Sequence, residues 1–476
     1  MELSRRSMLV GTLSVLGLGA GSVAAASLMT HGGPEKPLVG PHARTASPSA
    51  TATATPTPTR SAADATEDLR LHAWDSVVRQ ISDAADATVT LASGALPAGV
   101  GLSSGRVIGR PTTEGAYRFA LDVREGKKKR LRTFAGTVAP LKRDLNISLS
   151  LDQRTPMSVT AKEFDRIARL GANATLVIYC FISDPTSTTF TRVSDDRIDK
   201  AFQLARDRGI RITLVKPHIV TDDQGDGFYR GNYAPASLDA FFANWQAQLQ
   251  YFATLCAQND VEYLALTCEQ PAQTDASTYD RWVPLIQKLR DTEPGVKLTA
   301  AFTTLELFLL YTYWIPQSTP HMARLLDVFG INSWIRLTDK VYTPDAPNIT
   351  VDELVAGWRG GGGRTDDHLG KLEAVCDGLR IPFFITEVGV QPRVDGLAKQ
   401  DNNSPATGAE DFDVQALLYQ SVLQAPLQSR WCTGASIWHM RAPFAFGLLN
   451  GKRLFPGENV LKTALADTPA LATKSF

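Results

Sequence analysis

After residue 145 the chain alternates short β-branched or apolar runs with amphipathic stretches of helical period, and this alternation limits the fold more than any other feature. Strands that alternate with helices pair in parallel, because each helix returns the chain to the same end of the sheet. Eight runs can be marked: Ile147 to Leu151, Thr175 to Cys180, Ile210 to Lys216, Tyr263 to Glu269, Lys297 to Phe302, Val328 to Asn332, Phe383 to Glu387 and Ala435 to Trp438. That many parallel strands in about 300 residues fit a closed (β/α)8, or TIM, barrel, here expected over residues 142–476. An open doubly wound sheet usually carries a glycine-rich turn after its first strand, and Leu151-Asp152-Gln153-Arg154-Thr155-Pro156 contains no glycine. Between the runs, Thr160 and Glu163 stand at capping-box spacing, with Phe164, Ile167 and Ala168 following and Gly171 as a stop. Ile198, Ala201, Phe202 and Ala205 share one helical face ahead of Gly209.

The first 26 residues read as an address. Ser4-Arg5-Arg6-Ser7-Met8-Leu9-Val10, a mildly apolar core and the Ala24-Ala25-Ala26 tract resemble a twin-arginine export signal; an ordinary signal peptide with two arginines is the alternative. No later segment reaches the roughly 20 apolar residues that span a bilayer, so the mature protein is expected to be soluble outside the plasma membrane. Residues 27–66 are rich in Ala, Ser, Thr and Pro and have too little apolar surface to offset the entropy of ordering, so they read as a linker. Residues 67–141 change to short alternating strands such as Tyr117-Arg118-Phe119-Ala120-Leu121-Asp122-Val123. Here Leu96-Pro97-Ala98-Gly99-Val100-Gly101-Leu102 and Gly109-Arg110-Pro111-Thr112-Thr113-Glu114-Gly115-Ala116-Tyr117 resemble the bacterial putative immunoglobulin-like (He_PIG-type) repeat, which implies a small all-β immunoglobulin-like sandwich. Gly126-Lys127-Lys128-Lys129-Arg130 reads as a solvated hairpin turn rather than a binding patch.

Lys and Arg balance Asp and Glu at 49 each, which gives no cationic footprint for nucleic acid and suits a neutral partner such as a polysaccharide. The 5 cysteines form no C-x-x-C pair or spaced quartet, which argues against structural zinc; an odd number leaves at least one thiol unpaired, and buried packing is the reading for most. Asp222-Asp223-Gln224-Gly225-Asp226-Gly227 imitates the start of a calcium loop, but Tyr233 occupies the place of its final glutamate. Gly360 to Gly363 lack the Lys-Ser/Thr of a phosphate loop and read as a flexible active-site loop. No metal or cofactor is expected.

In a parallel barrel the reacting groups gather at the carboxyl ends of the strands. Two glutamates end apolar strands: Glu269 after Leu264-Ala265-Leu266-Thr267-Cys268 on the fourth, and Glu387 after Phe383-Phe384-Ile385-Thr386 on the seventh. A carboxylate closing a buried strand is costly to desolvate unless it has a partner or a task. Either alone reads equally well as a structural ion pair; one on each of these two strands points to a catalytic pair. Hydrolysis with retention asks for two carboxyl groups roughly 5 to 5.5 Å apart, one protonating the leaving oxygen and one attacking the anomeric carbon.

This arrangement resembles the clan A barrel glycosidases, in which strand four supplies the acid/base and strand seven the nucleophile. Within that clan the sequence is similar to glycoside hydrolase family 113, over most of residues 145–460. The similarity is carried by Leu214-Val215-Lys216-Pro217-His218, Glu269, Gly330-Ile331-Asn332-Ser333-Trp334, Ile385-Thr386-Glu387-Val388-Gly389 and Trp438. The resemblance implies Glu269 as an acid/base whose proton is favoured by neighbouring negative charge, and Glu387 as an ionised nucleophile held by donors. It also implies β-mannan as substrate. Trp438 matches the tryptophan beneath the reacting sugar, and Trp334 and Trp314 are further platform candidates. Trp245 and Trp282, inside helical patterns, read as core. Lys216, His218 and Asn332 bind sugar hydroxyls or make structural hydrogen bonds. Three positions depart from the family pattern: Cys268 replaces an asparagine usual in the clan, Trp334 a tyrosine, and Phe302-Thr303-Thr304 lacks an aromatic. These departures motivate a rival reading, a catalytically inactive barrel that binds a polysaccharide. A peptide or ester hydrolase would want a G-x-S-x-G elbow with a triad, which the sequence lacks.

Overall fold

The computed structural model describes residues 66–467 apart from 74, 76, 83, 85, 86, 104, 142, 222–228, 362–365, 401–405, 448 and 449. The export signal, all but the last residue of the linker, the calcium-like loop at 222–227, and Gly362 and Gly363 lie outside the described residues. Among the described residues no helix is long and apolar enough to cross a membrane. The chain divides into two compact units between Ala139 and Pro140.

The first unit is all-β. Its strands are β1 (Val77–Gln80), β2 (Thr88–Ala95), β3 (Val100–Ser103), β4 (Arg106–Gly109), β5 (Gly115–Glu125) and β6 (Lys128–Val138). They form two antiparallel sheets of three strands, ordered β1-β4-β3 and β2-β5-β6. On β5 the period of two sends Tyr117, Phe119, Leu121 and Val123 into a core shared with Ile81, Val107 and Phe134, and leaves Arg118 and Arg124 exposed. Two glycines make the turn chemistry legible. Gly99 and Gly109 have φ of +85° and +132°, and a Cβ on Gly109 would lie 2.2 Å from the carbonyl oxygen of Gly99, so neither place admits a side chain. Glu125 pairs with Lys128 across a two-residue turn, which puts the lysine run at an exposed hairpin.

The second unit is a closed parallel barrel. Its staves are β7 (Asp144–Leu151), β8 (Asn173–Phe181), β10 (Ile212–Val220), β11 (Tyr263–Cys268), β12 (Lys297–Phe302), β13 (Phe329–Asn332), β14 (Phe383–Val388) and β15 (Cys432–Ile437), while β9 (Thr191–Arg192) adds antiparallel to β8. Each stave pairs in parallel with the next, β8 pairs with β10, and β15 closes onto β7. Helices outside and side chains inside bury both faces, so strands such as β11 are buried at every residue and read as continuous rather than alternating runs. Inside, Asn146 Nδ2 donates to the hydroxyls of Thr175 (3.0 Å) and Thr213 (2.7 Å), and Thr175 bonds Ser436 (2.6 Å), so a polar ring ties β7, β8, β10 and β15. Leu214, Tyr263, Ala265, Val328 and Phe384 form an apolar cluster. Trp245 and Trp282 are fully buried in helices, their indole N–H groups donating to the carbonyls of Leu266 and Gln273, both at 2.8 Å. All five cysteines are buried and unpaired.

One local expectation fails. The helix after β7 spans Met157–Leu170, so it begins upstream of the Thr160/Glu163 box, and both residues lie inside it, buried. Glu163 instead accepts from Arg441 Nε (2.6 Å) and Nη2 (3.0 Å), and Arg441 also reaches Asp152 Oδ2 (2.7 Å) and the carbonyl of Ser150 (2.9 Å). That fork joins the last stave to the first β/α unit. Gly171 does end the helix, in the left-handed region with φ of +78°.

Candidate active site

Glu387 lies near the carboxyl end of β14 and is buried. Lys216 Nζ donates to its Oε1, and also to the carbonyl of Thr386 at 3.3 Å. Trp334 Nε1 donates to its other oxygen, Oε2, at 3.0 Å. Burial pushes the Glu387 carboxyl above its ordinary range; Lys216 pulls it down, as does Arg230, while Glu269 adds to the push. With N–H donors on both oxygens, the geometry is that of a carboxylate. Lys216 is wholly buried, and its ammonium lies 5.2 Å from the centre of the Trp438 ring.

Glu269 follows β11 directly, with its backbone at φ of +55°, and its N–H donates to the carbonyl of Ala301 on β12 at 2.9 Å. Asn332 Nδ2 donates to Glu269 Oε1 at 3.0 Å, and the amide is oriented by Thr386 Oγ1, which donates to Asn332 Oδ1 at 2.7 Å. Arg230 Nη2 donates to Glu269 Oε2 at 3.0 Å. Cys268 Sγ links Glu387 to Asn332, lying 3.9 Å from Glu387 Oε1 and 3.7 Å from Asn332 Nδ2. Both glutamates therefore meet one buried network spanning β10, β11, β13 and β14.

A further carboxyl lies beneath. Glu306, in the helix Thr304–Leu309 after β12, forms a capping box with Thr303 and also accepts from Thr274 Oγ1. Burial pushes it up to about 7 against those hydrogen bonds, and Glu269 contributes to the rise.

Aromatic rings line the same rim. His218 on β10 stacks between Tyr179 (6.5 Å) and Trp438 (5.9 Å), which is half-buried after β15. Burial holds His218 well below its usual range, with Arg230, Lys216 and His439 adding to the effect, so it is neutral. Its Nε2 makes no hydrogen bond within the protein and lies 3.6 Å from Glu387 Oε1.

His218, Cys268 and Glu387 offer ligand-type atoms within 4.8 Å of one another. Lys216 already occupies the Glu387 oxygen that faces them, and burial pushes the Cys268 thiol up to about 12. A cation there would meet a fixed ammonium, so these residues suit a hydrogen-bond network around a carboxylate better than a metal. A groove of about 740 Å³ between the helices Asp195–Arg206 and Leu238–Gln258 lies on the outer layer and contains none of the strand-end residues.

No protein-family profile and no curated protein sequence matches this chain. Among solved structures, the GH113 β-mannanase AaManA from Alicyclobacillus acidocaldarius, in complex with ManMIm, aligns with a TM-score of 0.51 at 18% identity, over 69% of this chain and 98% of that one. A GH113 β-1,4-mannanase solved as a complex aligns with a TM-score of 0.50 at 17% identity, over 68% and 98%. The barrel fold is shared.

The residues singled out in the sequence fall into two groups. Glu269, Glu387, Lys216, His218, Asn332, Trp334 and Trp438 all meet at the carboxyl ends of the barrel strands, linked by the contacts above. The ammonium of Lys216 and the amide of Asn332 are engaged by protein groups, whereas His218 Nε2 is buried without a hydrogen bond to the protein. Trp314 packs on His321, ring centres 4.6 Å apart. Sequence reasoning missed Arg230 and Glu306. Thr303-Thr304-Leu305-Glu306 does carry a T-x-x-E signal that could have revealed Glu306; nothing in the spacing around Arg230 marks it.

Proposed function

We propose that the chain is an exported retaining glycoside hydrolase that cleaves a polysaccharide, with Glu269 as acid/base and Glu387 as nucleophile. The observation that carries this reading is the pairing of two buried glutamates, from the fourth and seventh staves, through Asn332 and Cys268. Lys216 and Trp334 hold Glu387 charged and aimed, so that one of its oxygens attacks the anomeric carbon while Glu269 gives a proton to the departing oxygen. In the second step Glu269 takes a proton from water, which attacks the glycosyl-enzyme bond and frees Glu387. Trp438 forms the wall against which the reacting sugar packs, and His218 backs it by stacking behind the indole.

The indole N–H of Trp334 supplies a hydrogen bond to Glu387, which removes one ground for the inactive-barrel reading. β-Mannan is the first substrate to test, since the family resemblance and the fold neighbours both point to it. Export through the twin-arginine route and an immunoglobulin-like spacer complete the proposal. The test is sugar release from mannans, glucans and other bacterial polysaccharides by wild type, Glu269→Gln and Glu387→Gln, with NMR of the first-formed anomer. Release with retention by wild type alone is expected. Binding without release by all three proteins would replace the hydrolase with a lectin-like barrel.

A further inference from the structure

Apolar side chains that stay on the surface are concentrated in one place on the barrel. In the helix Thr304–Leu309 and the π-helical turn Leu310–Trp314 that continues it, Leu305, Phe308, Tyr311 and Tyr313 are each 39–43% exposed. Elsewhere in the barrel, among the described residues, only Tyr229, Val283 and Val341 are comparably exposed large apolar side chains. The π turn gathers the rings. Residues five apart in an α-helix lie about 140° from one another around the axis, on different faces. The wider turn, closed by the bond from the Ile315 N–H to the carbonyl of Leu310 at 2.9 Å, brings Tyr313 edge-on to Phe308 with ring centres 6.2 Å apart. Lys371, paired with Asp366, lies 5.7 Å from the centre of the Phe308 ring. Such π turns concentrate at functional sites, and soluble surfaces seldom group exposed rings without a partner for them.

What covers these rings follows from size, charge and position. Three aromatic side chains of about 150–250 Å² each, two-fifths exposed, offer about 200–300 Å². That is well short of the roughly 800 Å² that a stable protein partner covers on each side. Residues 307–320 carry no charged side chain, so the face has little to attract an ionic ligand, and the tyrosines add hydroxyls to it. The combination suits the C–H faces and hydroxyls of a few neutral sugar rings. The position agrees: the helix starts directly after β12, at the strand ends that hold Glu269, and Glu306 in its first turn is close enough to Glu269 for their charges to interact. We propose that Leu305, Phe308, Tyr311 and Tyr313 form a second, non-catalytic glycan-binding face that holds the polysaccharide chain outside the cleft. It takes part in no bond-making step. This rests on the polysaccharide reading and adds a surface that hydrolysis itself does not need.

The experiment separates binding of a polymer from turnover of a short substrate. In a Glu269→Gln background, affinity electrophoresis in gels containing soluble galactomannan or mixed-linkage β-glucan reads binding without cleavage. At least one polymer should retard this protein, and adding Phe308→Ser with Tyr313→Ser should weaken the retention about tenfold, the loss of two stacking contacts. In the otherwise wild-type chain the same two changes should lower kcat/KM on that polymer by a similar factor and leave kcat/KM on a short oligosaccharide of the same linkage unchanged. Both side chains are exposed, so the circular dichroism spectrum and urea midpoint should match wild type. Retention that the two changes leave intact, no retention on either polymer, or an equal loss on polymer and oligosaccharide overturns the inference. A dimer in light scattering that the two changes dissociate also overturns it, by giving the face to a second copy of the chain. If retention falls as expected but wild type cleaves no polymer, the hydrolase reading fails by itself and the binding face stands.

Discussion

Replacing Lys216 by methionine keeps most of the stem and deletes the ammonium, and the structure fixes what should follow. The side chains of Lys216 and Glu387 are 0% and 3% exposed, so water screens neither charge. Removing one partner of such a buried pair costs about 3–5 kcal/mol. The orphaned carboxyl can escape by binding a proton. From an ordinary pKa of 4.5, that costs about 3 kcal/mol at pH 7, at about 1.4 kcal/mol per unit. Protonation is therefore at least as cheap, and the nucleophile loses its charge at neutral pH. Since burial raises Glu387 and Lys216 is the largest influence lowering it, deleting Lys216 shifts the acid limb of kcat/KM to higher pH. Activity at pH 7 should therefore fall and recover in alkali. Urea denaturation of Lys216→Met, Glu387→Gln and the double variant isolates the pair: with no carboxylate to compensate, the lysine deletion should cost little, giving a coupling of at least about 2 kcal/mol. A coupling below about 0.5 kcal/mol, or an acid limb that stays put, would refute the assignment of Lys216 to the nucleophile.

Trp334→Phe keeps an aromatic ring and deletes the N–H on Glu387 Oε2; kcat should fall about tenfold to hundredfold with an unchanged circular dichroism spectrum, as expected for a bond worth about 1.5–3 kcal/mol, and unaltered turnover would mean the indole does not hold the nucleophile. Glu306 is buried with its carboxyl raised from 4.5 to about 7. Between those values the unfolded chain has released a proton that the folded chain keeps, so this group makes stability fall as pH rises from about 4.5 to 7, by about 3 kcal/mol in all. Glu306→Gln should lack that slope, and superimposable plots of unfolding free energy against pH for the two proteins would show the burial effect to be absent.

The staves were legible because burial on both faces writes continuous apolar runs, and Lys297–Phe302 falls where the sequence put it. The third strand extends through His218 to Val220, beyond the Lys216 boundary read from the pattern, since Pro217 and the polar His218 break an apolar run without breaking the ladder. Glu163 misled because its partner, Arg441, is 278 residues away and no local spacing announces it. The two glutamates could be found as polar ends of apolar strands. Their donors could not be assigned, because whether Lys216 serves a sugar or Glu387 depends on how far β10 lies from β14 across the barrel. Arg230 had no signature at all, being an arginine in a loop that meets Glu269 from 39 residues away in sequence.

The backbone twist at residue 269 has a consequence for how such a protein can change over time. A non-glycine residue held at φ of +55° sits about 1 kcal/mol above a relaxed conformation. Glycine would relax the backbone there, but it would also take the acceptor away from Asn332 and Arg230, and stripping a buried donor of its acceptor costs about 1–3 kcal/mol each. Selection for robustness therefore gains nothing by discarding the contorted glutamate, and stability and chemistry keep the same residue at this codon.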